Sequence, residues 1–200
     1  HGKLSVNPLP GKMKKLPEDN IREQVLSQQE FERLLECLDA PLKELTLVAF
    51  YLPMRQGEIV ELSWNKIDLE KNLIRLRGED TKTGFKRRIP IHPKVRSMLD
   101  QLPRGIRTKR VFLNQGRPIR AFVGSCKRQW YNAVKEAGLG DFTFHDLRHC
   151  AINNLRLAGN DHFTIMTISG HKTTSVFRRY NVVTDDELQD VKWKNDENLG

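Results

Sequence analysis

Apolar residues recur at three- and four-residue intervals over most of the chain, the spacing of helices with one buried face, and alternate in only one short region. Ser27 and Glu30 have the spacing of a reciprocal helix cap, and Phe31, Leu34, Leu35 and Leu38 follow at helical intervals, which predicts a helix over 28–39. Pro41 suits the first turn of a second helix that carries Leu42, Leu45, Val48, Ala49 and Leu52 up to Pro53, and a short third helix is expected over 56–62. Residues 64–69 and 73–76, split by Glu70-Lys71-Asn72, predict a hairpin, and 86–91 a third strand after a Thr-Lys-Thr-Gly turn. Beyond it, His92-Pro93 opens a helix to about 102, 111–113 reads as extended, and a long helix is expected over 119–137 before Gly138. Helices over 145–158, 161–169 and 174–179 follow, and Thr184 with Glu187 repeats the cap spacing ahead of Leu188, Val191 and Trp193. The predicted fold class is mainly α with a small three-stranded antiparallel sheet (α+β).

Residues 1–23 break this periodicity. They hold three of the nine prolines, with Gly and Lys between, and read as an extended linker from a missing N-terminal domain, an expectation that fits a first residue other than Met. Residues 24–182 then form one domain of ordinary size, and 183–200 a C-terminal tail helix. No stretch approaches the ~18 apolar residues of a membrane span, and no charged-then-apolar leader opens the chain, so neither a span nor an export signal is expected. Cys37, Cys126 and Cys150 are odd in number and never form a CxxC pair, which leaves no disulfide framework or zinc finger and fits a reducing, cytoplasmic setting.

Charge changes the picture: 34 Lys+Arg against 25 Asp+Glu leaves +9. That balance favours a polyanionic partner, because each cation set against a phosphate releases condensed counterions. His145-Asp146-Leu147-Arg148-His149 opens a helix, and spacing of three puts His145 and Arg148 on one face near an N-terminus that favours anions. His145, His149 and Cys150 begin a metal-like grouping, but no carboxylate motif or second cysteine cluster completes it, so no metal or other cofactor is expected. Further on, Ser169-Gly170-His171-Lys172 is followed by Tyr180, nine residues after His171 and flanked by Arg178 and Arg179, whose charge lowers the cost of a phenolate.

Taken together, Arg55 and Glu58 in MRQGE, Lys82 in TKTG, His145 and Arg148 in HDLRH, His171 in SGHK and Tyr180 in RRY stand in the order seen in the tyrosine recombinases, or phage-type integrases. The chain resembles the catalytic domain of that family over roughly residues 24–182. The resemblance implies a site-specific recombinase or integrase that cuts and rejoins double-stranded DNA through a 3′-phosphotyrosyl intermediate, with no ATP or metal. It implies Tyr180 as nucleophile, Arg55 and Arg148 on the non-bridging oxygens, Lys82 as acid toward the 5′-oxygen, His145 as base, His171 as a donor to the phosphate and Glu58 as a holder of these groups. Lys86, Arg87, Arg88, Lys172 and Arg178 are expected to touch DNA. A homotetramer on two synapsed duplexes, a monomer when alone, and a phage- or bacterium-encoded protein of the nucleoid are implied as well. A type IB topoisomerase and a DNA-binding regulator of the same fold are the rival readings. Gln56-Gly57 and Ser169 depart from the family pattern, and neither is expected to touch a reacting group.

Overall fold

The computed structural model describes residues 24–82, 84–105, 108–119, 122 and 126–173. The linker over 1–23, the helices expected after residue 173, Arg178 and Tyr180 lie outside them.

Helix α1 (Gln28–Glu36) starts as its cap spacing demands: Ser27 Oγ accepts the Glu30 N–H at 3.3 Å, and Glu30 Oε2 accepts the Ser27 N–H at 2.8 Å. Its buried Phe31 stacks on Phe50 of α2 (Leu42–Tyr51), with ring centroids 3.6 Å apart. After Pro53 the short α3 (Gln56–Val60) leads into a sheet of β1 (Ile67–Asp68), β2 (Leu73–Leu76) and β3 (Arg87–Pro90), antiparallel in that order, with Arg75 opposite Arg88 and Ile74 opposite Ile89. Helix α4 (Pro93–Gln101) is capped by His92, whose Nδ1 accepts the Lys94 N–H at 3.2 Å. Helices α5 (Lys127–Glu136), α6 (Asp146–Leu157) and α7 (His162–Ser169) complete the body, with α6 packed on α2 and α7 on both α6 and β3. The mainly α architecture with one small three-stranded sheet is the one the hydrophobic pattern predicts.

Three elements differ from expectation. Instead of a strand over 64–69 there is a 3-10 turn (Trp64–Lys66) and a two-residue β1, because the backbone here is engaged elsewhere: Trp64 N–H donates to Lys109 O at 2.8 Å, and Val111 N–H to Leu62 O at 3.0 Å. The extended piece at 111–113 becomes part of a ribbon, β4 (Leu113–Asn114) with β5 (Arg117–Pro118), around Gln115 and Gly116, both at positive φ. The long helix expected over 119–137 is interrupted at Cys126, which stands outside helical geometry at φ −127° immediately before α5, although Phe122 upstream is helical and its carbonyl accepts the Cys126 N–H at 2.8 Å.

The core runs from Leu26 and Phe31 through Leu45, Phe50 and Met54 to Ile74, Ile89, Phe112, Trp130 and Leu147. Among the described residues no helix is long and apolar enough to cross a membrane.

Candidate active site

Helix α3 begins at Arg55, and capping explains the acid three residues on. Glu58 turns its carboxylate back so that Oε2 accepts the Arg55 backbone N–H at 2.7 Å and Oε1 accepts Arg55 Nη1 at 3.0 Å. The same Oε2 accepts Arg87 Nη2 from β3 at 2.5 Å, so one buried carboxylate ties two guanidiniums together.

Helix α7 supplies the opposing half. It closes at Gly170, which takes a left-handed conformation (φ 75°, ψ 35°) and passes so close to Arg87 that a Cβ would strike Nη1; only glycine meets both demands. The carbonyls at this helix end carry negative partial charge and collect arginines from three elements. Ser169 O accepts Arg87 Nη1 and Arg148 Nη2, each at 2.8 Å, and Gly170 O accepts Arg55 Nη2 at 3.4 Å. Arg148 Nη1 donates to Pro53 O, which anchors α6 to the segment leading into Arg55. His171 lies just past the turn, with Nδ1 2.8 Å from Ser169 Oγ and Nε2 3.3 Å from Arg148 Nη2. Burial first, and then the charges of Arg148, Arg55 and Arg87, push its pKa down to about 3, so the ring is neutral near pH 7.

His145 stands at the mouth of this cluster, one residue before α6. Phe142 and Phe144 are buried against Trp130 and Phe122, and Asp146 Oδ2 accepts both the N–H and the hydroxyl of Thr143 at 2.7 Å, which fixes the turn that leads into the helix. The His145 side chain is exposed, yet desolvation, followed by the Arg148 charge, holds it below the usual imidazole range. Its ring meets His149 edge-on at 5.6 Å, and His149 is pushed down to about 4, mainly by burial and then by His145. Cys150 accepts the Leu26 N–H on its sulfur at 3.3 Å.

Lys82 occupies the tip of the turn that the Thr-Lys-Thr-Gly sequence predicts. Gly84 N–H donates to Thr81 O at 3.1 Å, Gly84 has φ 74°, and the Thr81 hydroxyl lies within 3.2 Å of Gly78 O and 3.1 Å of Phe85 O. Lys82 itself is exposed. The base of its turn reaches the arginine cluster, since Phe85 and Lys86 line a cavity of about 180 Å³ together with Gly170 and His171. Lys172 places its ammonium 4.8 Å from the centre of the exposed Phe85 ring. On the solvent face of the sheet, Lys86 and Arg88 join Arg75 and Arg77 along a groove of about 760 Å³.

Four of the seven positions named from the sequence, Arg55, Glu58, Arg148 and His171, are thus joined directly by bonds around Ser169 and Gly170. His145 flanks them, Lys82 is carried by the neighbouring turn, and Tyr180 lies outside the described residues, as does Arg178. Two expectations need correction. Arg87 is no surface contact for DNA: its side chain is 3% exposed and is consumed by Glu58 and Ser169 O. The signal was present in the alternation of KRRIPI, which puts Arg87 on the inward face with Ile89 and Ile91, and Lys86 and Arg88 on the other. Ser169 does touch the site, through its hydroxyl on His171 and its carbonyl on two arginines.

The sequence model of the Phage integrase family matches residues 24–187. The shufflon-specific DNA recombinase of Escherichia coli is 31% identical over 134 residues, 66% of this chain and 32% of that protein. Among solved structures, XerA recombinase superposes with a TM-score of 0.69 at 24% identity, covering 84% of this chain and 63% of that one. The Tn1549 transposon integrase, in complex with transposon right end DNA, gives a TM-score of 0.68 at 19% identity, over 88% and 66% of the two chains. The chain spans 32% to 53% of the length of the first curated relatives that it matches.

Proposed function

Because the chain belongs to the phage integrase family, we propose that it is the catalytic part of a site-specific DNA recombinase, with residues 24–182 as the reacting domain, 1–23 as the linker into it and 183–200 as a tail helix. The observation that carries this reading is the convergence of Arg55, Arg148 and His171 on the end of α7, with Glu58 already engaged by two arginines. Such a pocket gathers cationic side chains of fixed geometry and suits a phosphodiester.

The chemistry follows from what each group can do. The phenolic oxygen of Tyr180 attacks the scissile phosphorus and the bond to the 5′-oxygen breaks, leaving a 3′-phosphotyrosyl link. His145, held neutral, takes the phenol's proton, while Lys82 gives a proton to the departing 5′-oxygen. Arg55 and Arg148 neutralise the charge that grows on the non-bridging oxygens, their guanidiniums pre-set by Glu58, Pro53 O and Ser169 O. A 5′-hydroxyl from a second duplex reverses the sequence, and the phosphotyrosyl bond conserves the energy for rejoining. Lys86, Arg88, Lys172 and Arg178 contact the DNA backbone, and four copies assemble on two synapsed duplexes while a lone chain stays monomeric. The Tn1549 integrase, in complex with transposon right end DNA, supports DNA as the partner.

The test is capture on nicked duplex DNA. The native chain should yield a covalent protein–DNA band on a denaturing gel, and Tyr180→Phe, which removes one oxygen and little packing, should bind DNA equally well and yield none. An undiminished band from Tyr180→Phe would overturn the assignment. Relaxation of supercoiled plasmid without joining at defined sites would move the chain to the topoisomerase class.

A further inference from the structure

The Ser169 side chain is fully buried at the last position of α7, and its hydroxyl lies between two groups. Ser169 Oγ is 2.8 Å from His171 Nδ1 and 3.3 Å from Met166 O, and His171 Nε2 is 3.3 Å from Arg148 Nη2. Arginine has only donors, so in the neutral ring Nε2 must be the acceptor and the proton must sit on Nδ1. Nδ1–H then donates to Ser169 Oγ, and the Ser169 O–H donates onward to Met166 O. The opposite tautomer would aim an N–H at a guanidinium and leave Nδ1 dependent on the serine's own proton.

We propose that Ser169 is a positioning residue that fixes the His171 tautomer, keeping Nδ1 protonated so that Nε2 faces the phosphate site. The proposal rests on the reading of His171 as a phosphate ligand only for its consequence, which is that His171 becomes a donor to the phosphate by taking a proton on Nε2. Ser169 Oγ accepts from Nδ1–H in the neutral ring and in the cation alike, so the ring does not turn when the proton arrives. An entering phosphate then displaces Arg148 from Nε2 and brings the negative charge that favours this uptake.

The test uses the 200-residue chain with ¹⁵N-labelled histidine and three variants, Ser169→Ala, His171→Ala and the double variant. Long-range ¹H–¹⁵N spectra near pH 7 should show His171 with a protonated Nδ1 and a bare Nε2, and Ser169→Ala should shift the ring toward the other tautomer. Ser169→Ala keeps the backbone carbonyl that holds Arg87 and Arg148, so its fold should persist. Cleavage of nicked DNA should slow about tenfold, the range of one lost hydrogen bond to a chargeable ring, through kcat rather than KM. In the His171→Ala background the same change should have no further effect. A native ring protonated on Nε2 or an unchanged tautomer in Ser169→Ala would overturn the proposal, and so, where His171→Ala slows cleavage, would an unaltered rate in Ser169→Ala or an equal loss with and without His171. Should His171→Ala cleave at the native rate, the reading of His171 as a phosphate ligand fails, and the spectra alone decide whether Ser169 sets the tautomer.

Discussion

Burial at single residues sets the protonation of this site before any DNA arrives. His149 and His171 are held down to about 4 and about 3, whereas in an unfolded chain both titrate near ~6.5. Below that value the unfolded state binds more protons than the native one, so these rings contribute stability that is complete above about 6.5 and lost as the pH falls toward their native values. Urea unfolding followed between pH 7 and pH 5 should therefore show a midpoint that falls as the pH falls, because unfolding takes up as much as about one proton per ring. His149→Gln should flatten part of that slope; a midpoint that stays level over this range would contradict the account. Burial acts differently on the Arg87–Glu58 pair, where a lone Arg87 guanidinium at that depth would be far costlier than the paired one.

At the scale of elements, the β2–β3 turn is the part whose job is least obvious from its own contacts. Lys82 sits exposed at its tip, Lys86 lies four residues on, and Phe85 with Lys172 bridges the turn's base to the end of α7. Lys82→Ala should cleave ordinary DNA more slowly by a factor on the order of 10² to 10⁴, the range for a lost general acid, and recover most of its rate on DNA with sulfur at the 5′ bridging position, since a thiolate leaves without help. Arg148→Ala should gain nothing from the sulfur. Rescue of Lys86→Ala in place of Lys82→Ala would move the acid to the other lysine. The turn was readable from Thr-Lys-Thr-Gly because glycine's positive φ is a local demand, and α1 was readable because Ser27 and Glu30 cap each other across three residues. What escaped depends on distant partners. Trp64 surrendered its strand to Lys109, and Arg87 found Glu58 and Ser169 at 29 and 82 residues' distance, pairings that no local pattern states. The order of the seven site positions was legible, whereas the carbonyls of Pro53, Ser169 and Gly170 that hold three arginines were not, because every residue type carries a carbonyl.

For the whole molecule, the charge of +9 and the basic groove beside the sheet argue for loose, sequence-tolerant attachment to duplex DNA. Dissociation constants should fall in the non-specific range of ~10⁻⁴ to 10⁻⁶ M and weaken steeply with salt, since each phosphate contact releases counterions. A titration from 50 to 200 mM salt, roughly the span over which such contacts lose most of their strength, checks this, and tight, site-specific, salt-insensitive binding would contradict it.

The meeting of three arginines at the end of α7 also has a consequence for the order in which the chain is made. Arg55 leaves the ribosome 115 residues before the carbonyl of Gly170 that receives it, and Arg87 precedes its Ser169 acceptor by 82. Until translation reaches that turn, Arg55 and Arg87 have Glu58 but lack the carbonyls that bring them together with Arg148. An interrupted product therefore lacks the assembled arginine cluster on which the proposed cleavage depends.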